Sequence, residues 1–154
     1  MTLEIALFQP DIAANTGTIA RLAACFGLPL TIIEPAGFAW SDSTLRRAGM
    51  DYLGQADIRR AASWPDFQAA KAGQRLVLLT TKAEISHVDF RFTADDVLLF
   101  GRESAGVPDA VHKACARVTI PMRPGMRSLN VAMASAIVVA EAMRQLGLFV
   151  RPTS

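Results

Sequence analysis

The sequence predicts an α/β protein, a mostly parallel sheet flanked by helices. Two observations carry that expectation. Short apolar runs rich in β-branched residues alternate along the chain with longer segments of helical periodicity. Three of the loops that would follow strands are marked by glycine or proline, residues that let a backbone turn tightly or hold it stiff beside a ligand. In open sheets of this kind ligands gather at the carboxyl ends of the strands, so chemistry is expected in the loops at 10–17, 101–108 and 121–130.

Residues 3–8, "LEIALF", read as a buried strand, and 15–26 as a helix that Gly27 stops. Pro29 restarts an extended run, and "LTIIE" at 30–34, short and bounded by prolines, is the second strand. Residues 35–52, "PAGFAWSDSTLRRAGMDY", form a loop holding one short helical turn at 44–48. A helix follows at 64–71, then strands "RLVLLT" at 75–80 and "DVLLF" at 96–100. The helix at 108–116 opens with Pro108 in its first turn, where the missing N–H costs nothing. "RVTI" at 117–120 is the fifth strand, and a helix at 129–146, ended by Gly147, closes the series. No repeat, low-complexity tract or linker interrupts the 154 residues, so a single domain over 1–154 is expected.

Composition bounds the function. With 51% hydrophobic and 19% charged residues the chain is not a disordered one, and its apolar surplus predicts a homodimer that covers part of the surface. The last helix, "VAMASAIVVAEAMRQL", is apolar almost all round and needs cover on more than one side. A net charge of +2 does not by itself announce a nucleic-acid binder. Cys25 and Cys115 lie in apolar, helix-like stretches and are expected to be buried free thiols of a reduced compartment. No metal-ligand spacing is present, no apolar run reaches the roughly 18 residues of a membrane span, and the N-terminus has no secretory pattern. A cytoplasmic protein with no metal and no membrane partner is expected.

The loops supply the candidate site residues. In "GRESAGVP" at 101–108, Gly101 and Gly106 allow a tight turn and Glu103 places a carboxylate at a strand end. The spacing matches neither a dinucleotide fingerprint nor a phosphate loop, and Arg102 occupies the first glycine of a hydrolase elbow. Pro121, Pro124 and Gly125 stiffen the next loop, where Ser128 and Asn130 are suited equally to capping the following helix and to touching a ligand. Asn15 and Thr16 make a good helix start, and Arg21 falls six residues on among apolar neighbours. Arginine pairs recur at Arg46 and Arg47, Arg59 and Arg60, and Arg123 and Arg127, mostly in loops; their planar forks suit phosphate, and Trp40 and Tyr52 offer stacking surfaces for bases, a combination that points towards RNA. His87 and His112 have no partners at catalytic spacing and read as incidental.

In order, "NTGTIARLAACFG", "LLFGRESAGVP" and "IPMRPGMRSLNVAMASA" resemble the three motifs of the SPOUT class of RNA methyltransferases. The segment 37–52, "GFAWSDSTLRRAGMDY", is similar to the signature of those that methylate the 2'-hydroxyl of the wobble cytidine or uridine of tRNA. The resemblance implies a C-terminal deep trefoil knot, an exception to the rule that chains avoid knots, together with S-adenosylmethionine as cofactor, tRNA as substrate and a homodimer packed through the last helix. It implies a cofactor pocket of Leu79, Thr80, Gly101, Glu103, Ile120, Met122, Ser128 and Leu129, with Asn130 beside them. It implies catalytic roles for Arg21, Asn15, Glu103, Ser128 and Asn130, and RNA contacts from Arg46, Arg47, Arg123 and Arg127. A methyltransferase of the same fold acting on ribosomal RNA or another tRNA position, and a non-catalytic RNA-binding module, are the alternatives. The sequence departs from the family at Ala140, where related chains tend to carry tyrosine before the glutamate of the last helix.

Overall fold

A computed structural model describes residues 2–41, 43 and 54–153. Six parallel strands form one sheet among these residues: β1 (Glu4–Phe8), β2 (Leu30–Ile33), β3 (Ile58–Ala61), β4 (Leu76–Leu79), β5 (Val97–Phe100) and β6 (Ala116–Val118). The helices are α1 (Ala13–Phe26), α2 (Trp64–Ala70), α3 (Asp109–Ala114) and α4 (Val131–Leu146). Strand order is β3-β2-β1-β5-β4-β6. The chain runs outward from β1 to β3, crosses to the far side for β4, inserts β5 between β4 and β1, and ends at the edge with β6.

The continuous apolar runs follow from burial on both faces, as a parallel sheet covered by helices requires. Ile5 and Leu7 of β1, with Leu98 and Phe100 of β5, face a core completed by Ile19 and Ala23 of α1 and by Val138, Val139 and Met143 of α4. Ala6 and Phe8, with Val97 and Leu99, face the opposite core, closed by Phe67 of α2 and Val111 of α3. Each fully buried aliphatic or aromatic side chain contributes about 1.5–3 kcal/mol. The two buried carboxylates of the sheet are paired. Glu4, 3% exposed, accepts from Lys71 Nζ at 2.6 Å and from the Thr31 hydroxyl at 2.6 Å, and Asp96, fully buried, takes both Arg75 nitrogens at 2.9 and 2.7 Å and the Thr93 N–H and hydroxyl at 2.8 Å each.

Local signals operate as expected at both long helices. Gly27 and Gly147 end α1 and α4 in the left-handed conformation, φ 66° and 67°. Asn130 caps α4, its Oδ1 accepting from the N–H groups of Ala132 and Met133 at 2.9 and 3.3 Å; Ser128 takes no part in the cap. The structure corrects three expectations. Ile58–Ala61, whose two arginines read as loop residues, is an edge strand: Arg59 and Arg60 are held by Asp57 and Glu34, and Arg60 lies 5.0 Å above the Trp40 ring. Their charge also guards the strand edge against pairing with other chains. Cys25 is exposed rather than buried, although both thiols are free; Cys115 is partly buried, and burial pushes its thiol up to about 11. The last strand stops at Val118, earlier than expected, because Thr119 leaves β4 and pairs with Ser86 instead. The helical turn anticipated at 44–48 lies outside the described residues.

Candidate functional site

The carboxyl ends of β1, β5, β4 and β6 open into one cavity of about 490 Å³. Ile12 and Asn15 enter it from the start of α1, residues 78–81 from the end of β4, residues 100–107 from the turn after β5, and Thr119, Ile120, Met122 and residues 128–131 from the segment between β6 and α4. All eight residues expected to bind a cofactor, Leu79, Thr80, Gly101, Glu103, Ile120, Met122, Ser128 and Leu129, line it. So do Asn15 and Asn130. Arg21 does not; it is exposed on α1. Arg123 and Arg127 are exposed in the loop that forms one wall, whereas Arg46 and Arg47 lie outside the described residues.

The turn after β5 needs its glycines. A Cβ on Gly101 would meet the Gly106 backbone at 3.0 Å and Val107 Cγ1 at 3.1 Å. Gly106 adopts φ 62°, and the main chains of Arg102 and Gly106 exchange hydrogen bonds of 3.1 and 2.9 Å across the turn. That closure projects Glu103 towards α1. A relay of side-chain amides and carboxylates then joins the three loops: Asn130 Nδ2 donates to Asn15 Oδ1 at 3.1 Å, Asn15 Nδ2 to Glu103 Oε1 at 3.4 Å, and the Asp11 main-chain N–H to Glu103 Oε2 at 3.0 Å. Asn130 therefore caps a helix with its oxygen and tethers the site with its nitrogen. Ser128, free of capping duty, lines the cavity.

The carboxylates differ in their affinity for protons. Burial, then the neighbouring Asp11 carboxyl, raises Glu103 above the usual glutamate range. Asp11 is lowered, first by its coupling to the neighbouring Glu103 carboxyl and then by the hydrogen bond the Ser104 hydroxyl donates. Sequence reasoning missed Asp11, although the signal that selected Glu103, an acidic residue at a strand's carboxyl end, was present for it too. It also set aside His112, which lines the cavity from α3 with its Nδ1 buried and unpartnered. Among the described residues no group of three or more histidines, cysteines or carboxylates could hold a metal, and no helix is long and apolar enough to cross a membrane.

A parallel sheet that gathers glycine- and proline-marked loops around one cavity at its carboxyl edge is built to hold a small organic cofactor. The chain belongs to the SpoU rRNA methylase family, whose model matches residues 2–140. Within reach of it is the tRNA (cytidine(34)-2'-O)-methyltransferase of Ancylobacter novellus, 57% identical over 154 residues, with 98% of each chain covered. A solved structure described as giving insight into the 2-OH methylation of C/U34 on tRNA superposes with a TM-score of 0.90 at 41% identity, covering 94% of this chain and 96% of that one. The SpoU methyltransferase AviRb of Streptomyces viridochromogenes, solved in complex with the cofactor AdoMet, matches 94% of this chain and 60% of its own, with a TM-score of 0.80 at 27% identity.

Proposed function

We propose that this chain transfers a methyl group from S-adenosylmethionine to the ribose 2'-hydroxyl of the wobble nucleotide, cytidine or uridine 34, of tRNA. The single observation that carries the reading is the convergence of Asn15, Glu103, Ser128 and Asn130 on the wall of one cavity, in a chain whose relatives bear that activity in their names. The cavity suits the cofactor: its volume lies in the range of small-molecule sites, Leu79, Ile120 and Leu129 offer apolar surface, and Thr80, Ser128 and the main chain of the tight turn offer donors and acceptors.

When bound, S-adenosylmethionine supplies a sulfonium methyl whose leaving group is an uncharged thioether, so that no acid is required. The work left to the chain is to hold the hydroxyl in line at near-attack distance, an effect that reaches about 7–11 kcal/mol in well-oriented systems. Asn15 and Asn130, each fixed by hydrogen bonds at both ends of its amide, and Ser128 keep that geometry. Arg21, a guanidinium that stays protonated, orients the RNA phosphate and stabilises the developing alkoxide, while phosphate or water takes the proton. Arg46, Arg47, Arg123 and Arg127 contact the tRNA backbone.

The active form in this reading is a cytoplasmic homodimer of single domains spanning 1–154, each with its C-terminal part threaded into a deep trefoil knot. Sheet order supports the threading, with β5 inserted between β1 and β4 and residues 128–131 closing on the turn after β5. Exposed Phe26, Met133, Ile137 and Phe149 support the dimer.

Incubation with labelled S-adenosylmethionine and total tRNA, followed by mapping of the modified nucleoside, tests the reaction. Label at position 34 is expected, and label only in ribosomal RNA or at another tRNA position refutes the assignment. Arg21→Ala is expected to retain cofactor binding by calorimetry and to lose methyl transfer on the order of a hundredfold or more; unchanged turnover would remove Arg21 from the mechanism.

A further inference from the structure

We propose that Asp11 is a positioning residue for this site, its main-chain N–H and its carboxylate together holding Glu103 and Ser104 on the cavity wall. The inference rests on the reading of Glu103 as part of the transfer site. Asp11 follows β1, whereas Glu103 and Ser104 follow β5, and the two strands are neighbours in the sheet. The Asp11 N–H reaches Glu103 Oε2 at 3.0 Å, and its Oδ2 accepts from the Ser104 hydroxyl. Its Oδ1 is buried and has no hydrogen-bond partner. A buried carboxylate oxygen left in that state is costly.

The adjacent Glu103 carboxyl removes the cost if it carries a proton. One proton is then bound by the pair: Glu103 donates it, Asp11 accepts it as the anion, and a single negative charge rather than two remains at the wall. The opposite directions in which the two carboxyls titrate agree with this placement. Among the described residues that line the cavity, Glu103 is the one acid. The cavity presents Arg102 from the same turn and His112 from α3, while Thr80, Thr119 and Asn130 line the remaining elements. Arg102 is directed away, its guanidinium over the Phe8 ring at 5.4 Å and donating to Gln9 Oε1 at 3.4 Å.

A second contact fixes Asp11 from the other side. The segment after β2 lies directly on Asp11, with the Gly37 N–H bonded to the Pro10 carbonyl at 2.8 Å. A Cβ on Gly37 would sit 2.7 Å from Asp11 Cβ and 2.9 Å from its Cα, so only glycine lets this segment pack so closely on Asp11. Gly37 begins the stretch that resembles the wobble-position signature, which ties that signature physically to Glu103 through Asp11.

Side-chain carboxyl NMR on the full chain, with the Glu103 signal assigned through Glu103→Gln, tests the proposal. In the wild type Glu103 is expected to titrate above the ordinary glutamate value, and in Asp11→Asn it is expected to fall back towards it. Methyl transfer in Asp11→Asn is expected to lose turnover about tenfold to a hundredfold with KM for S-adenosylmethionine nearly unchanged, and Asp11→Glu to restore most of it. An ordinary Glu103 titration in the wild type, or one that Asp11→Asn does not move, overturns the proposal. Should Asp11→Asn fail to fold, Ser104→Ala, which removes a donor to the Asp11 anion, is expected to raise the Asp11 titration, and no movement there overturns it equally. The titration needs no methyl transfer, so a chain inactive on tRNA would refute the functional reading without touching this one.

Discussion

Asp96 shows how a side chain that does no chemistry shapes the molecule. It is fully buried at the start of β5, and burial alone would raise its carboxyl. The Arg75 fork and the N–H and hydroxyl of Thr93 outweigh that and hold it below 3.8, its ordinary value. Because the folded carboxyl ionises at lower pH than the unfolded one, its stabilisation is complete above the unfolded value and disappears as pH falls through the folded one. Asp96→Asn is expected to destabilise the protein by about 2 kcal/mol at pH 7. In urea unfolding its deficit against the wild type should shrink steadily as pH drops below about 4, where protonation of Asp96 removes the same interaction from the wild type. A deficit independent of pH would mean that packing rather than charge is what Asp96 supplies. Glu103 is the opposite case, a carboxyl whose surroundings favour its proton, and that contrast separates a structural acid from one held at a functional wall.

The helix α4 combines two duties at its first turn. Asn130 Oδ1 satisfies two of the otherwise unpaired N–H groups, and its amide nitrogen reaches across to Asn15 on α1. These duties can be separated. Asn130→Ala is expected to lose both, lowering stability by about 1 kcal/mol, a fall in Tm of about 2–4 °C for a chain of this size. Asn130→Asp keeps a capping oxygen and places a negative charge where the helix end favours it, but it can no longer donate to Asn15. Thermal unfolding should therefore show Asn130→Asp close to the wild type, while methyl transfer falls in both variants. A parallel loss of stability in the aspartate variant would count against this division. The cap itself was legible beforehand, since asparagine before an apolar run is a helix start. Its tether to Asn15, 115 positions away, was not, because nothing local encodes which loop lies opposite.

Across the whole molecule, one face of α4 packs on the sheet through Val138, Val139 and Met143 while the other leaves Met133 63% and Ile137 37% exposed. Phe26 at the end of α1 and Phe149 beyond α4, both exposed, meet edge to face at 5.5 Å. Under the proposed dimer these exposed apolar side chains are covered by a second copy. Ile137→Glu would bury an unpaired charge in that seam, and its dissociation constant is expected to rise on the order of a hundredfold or more. Sedimentation should then show the mass of one chain where the wild type shows two; a wild type that sediments as a single chain would sink the dimer.

By itself, the sequence determined the elements that repeat a local pattern: five of the six described strands, the long helices with their glycine stops, and the three loops where glycine, proline and polar residues depart from that pattern. It pointed to Glu103, Ser128 and Asn130 because loops after strands must either be solvated or do work. It did not reveal β3, since Arg59 and Arg60 break the apolar alternation that marks a strand and become strand residues only by pairing with β2. Nor did it reveal Asp11, whose partners stand 92 and 93 positions away. Adjacency of that kind comes from sheet order. Only the placement of β5 beside β1 decides which acidic residue faces which, and hence where a shared proton resides.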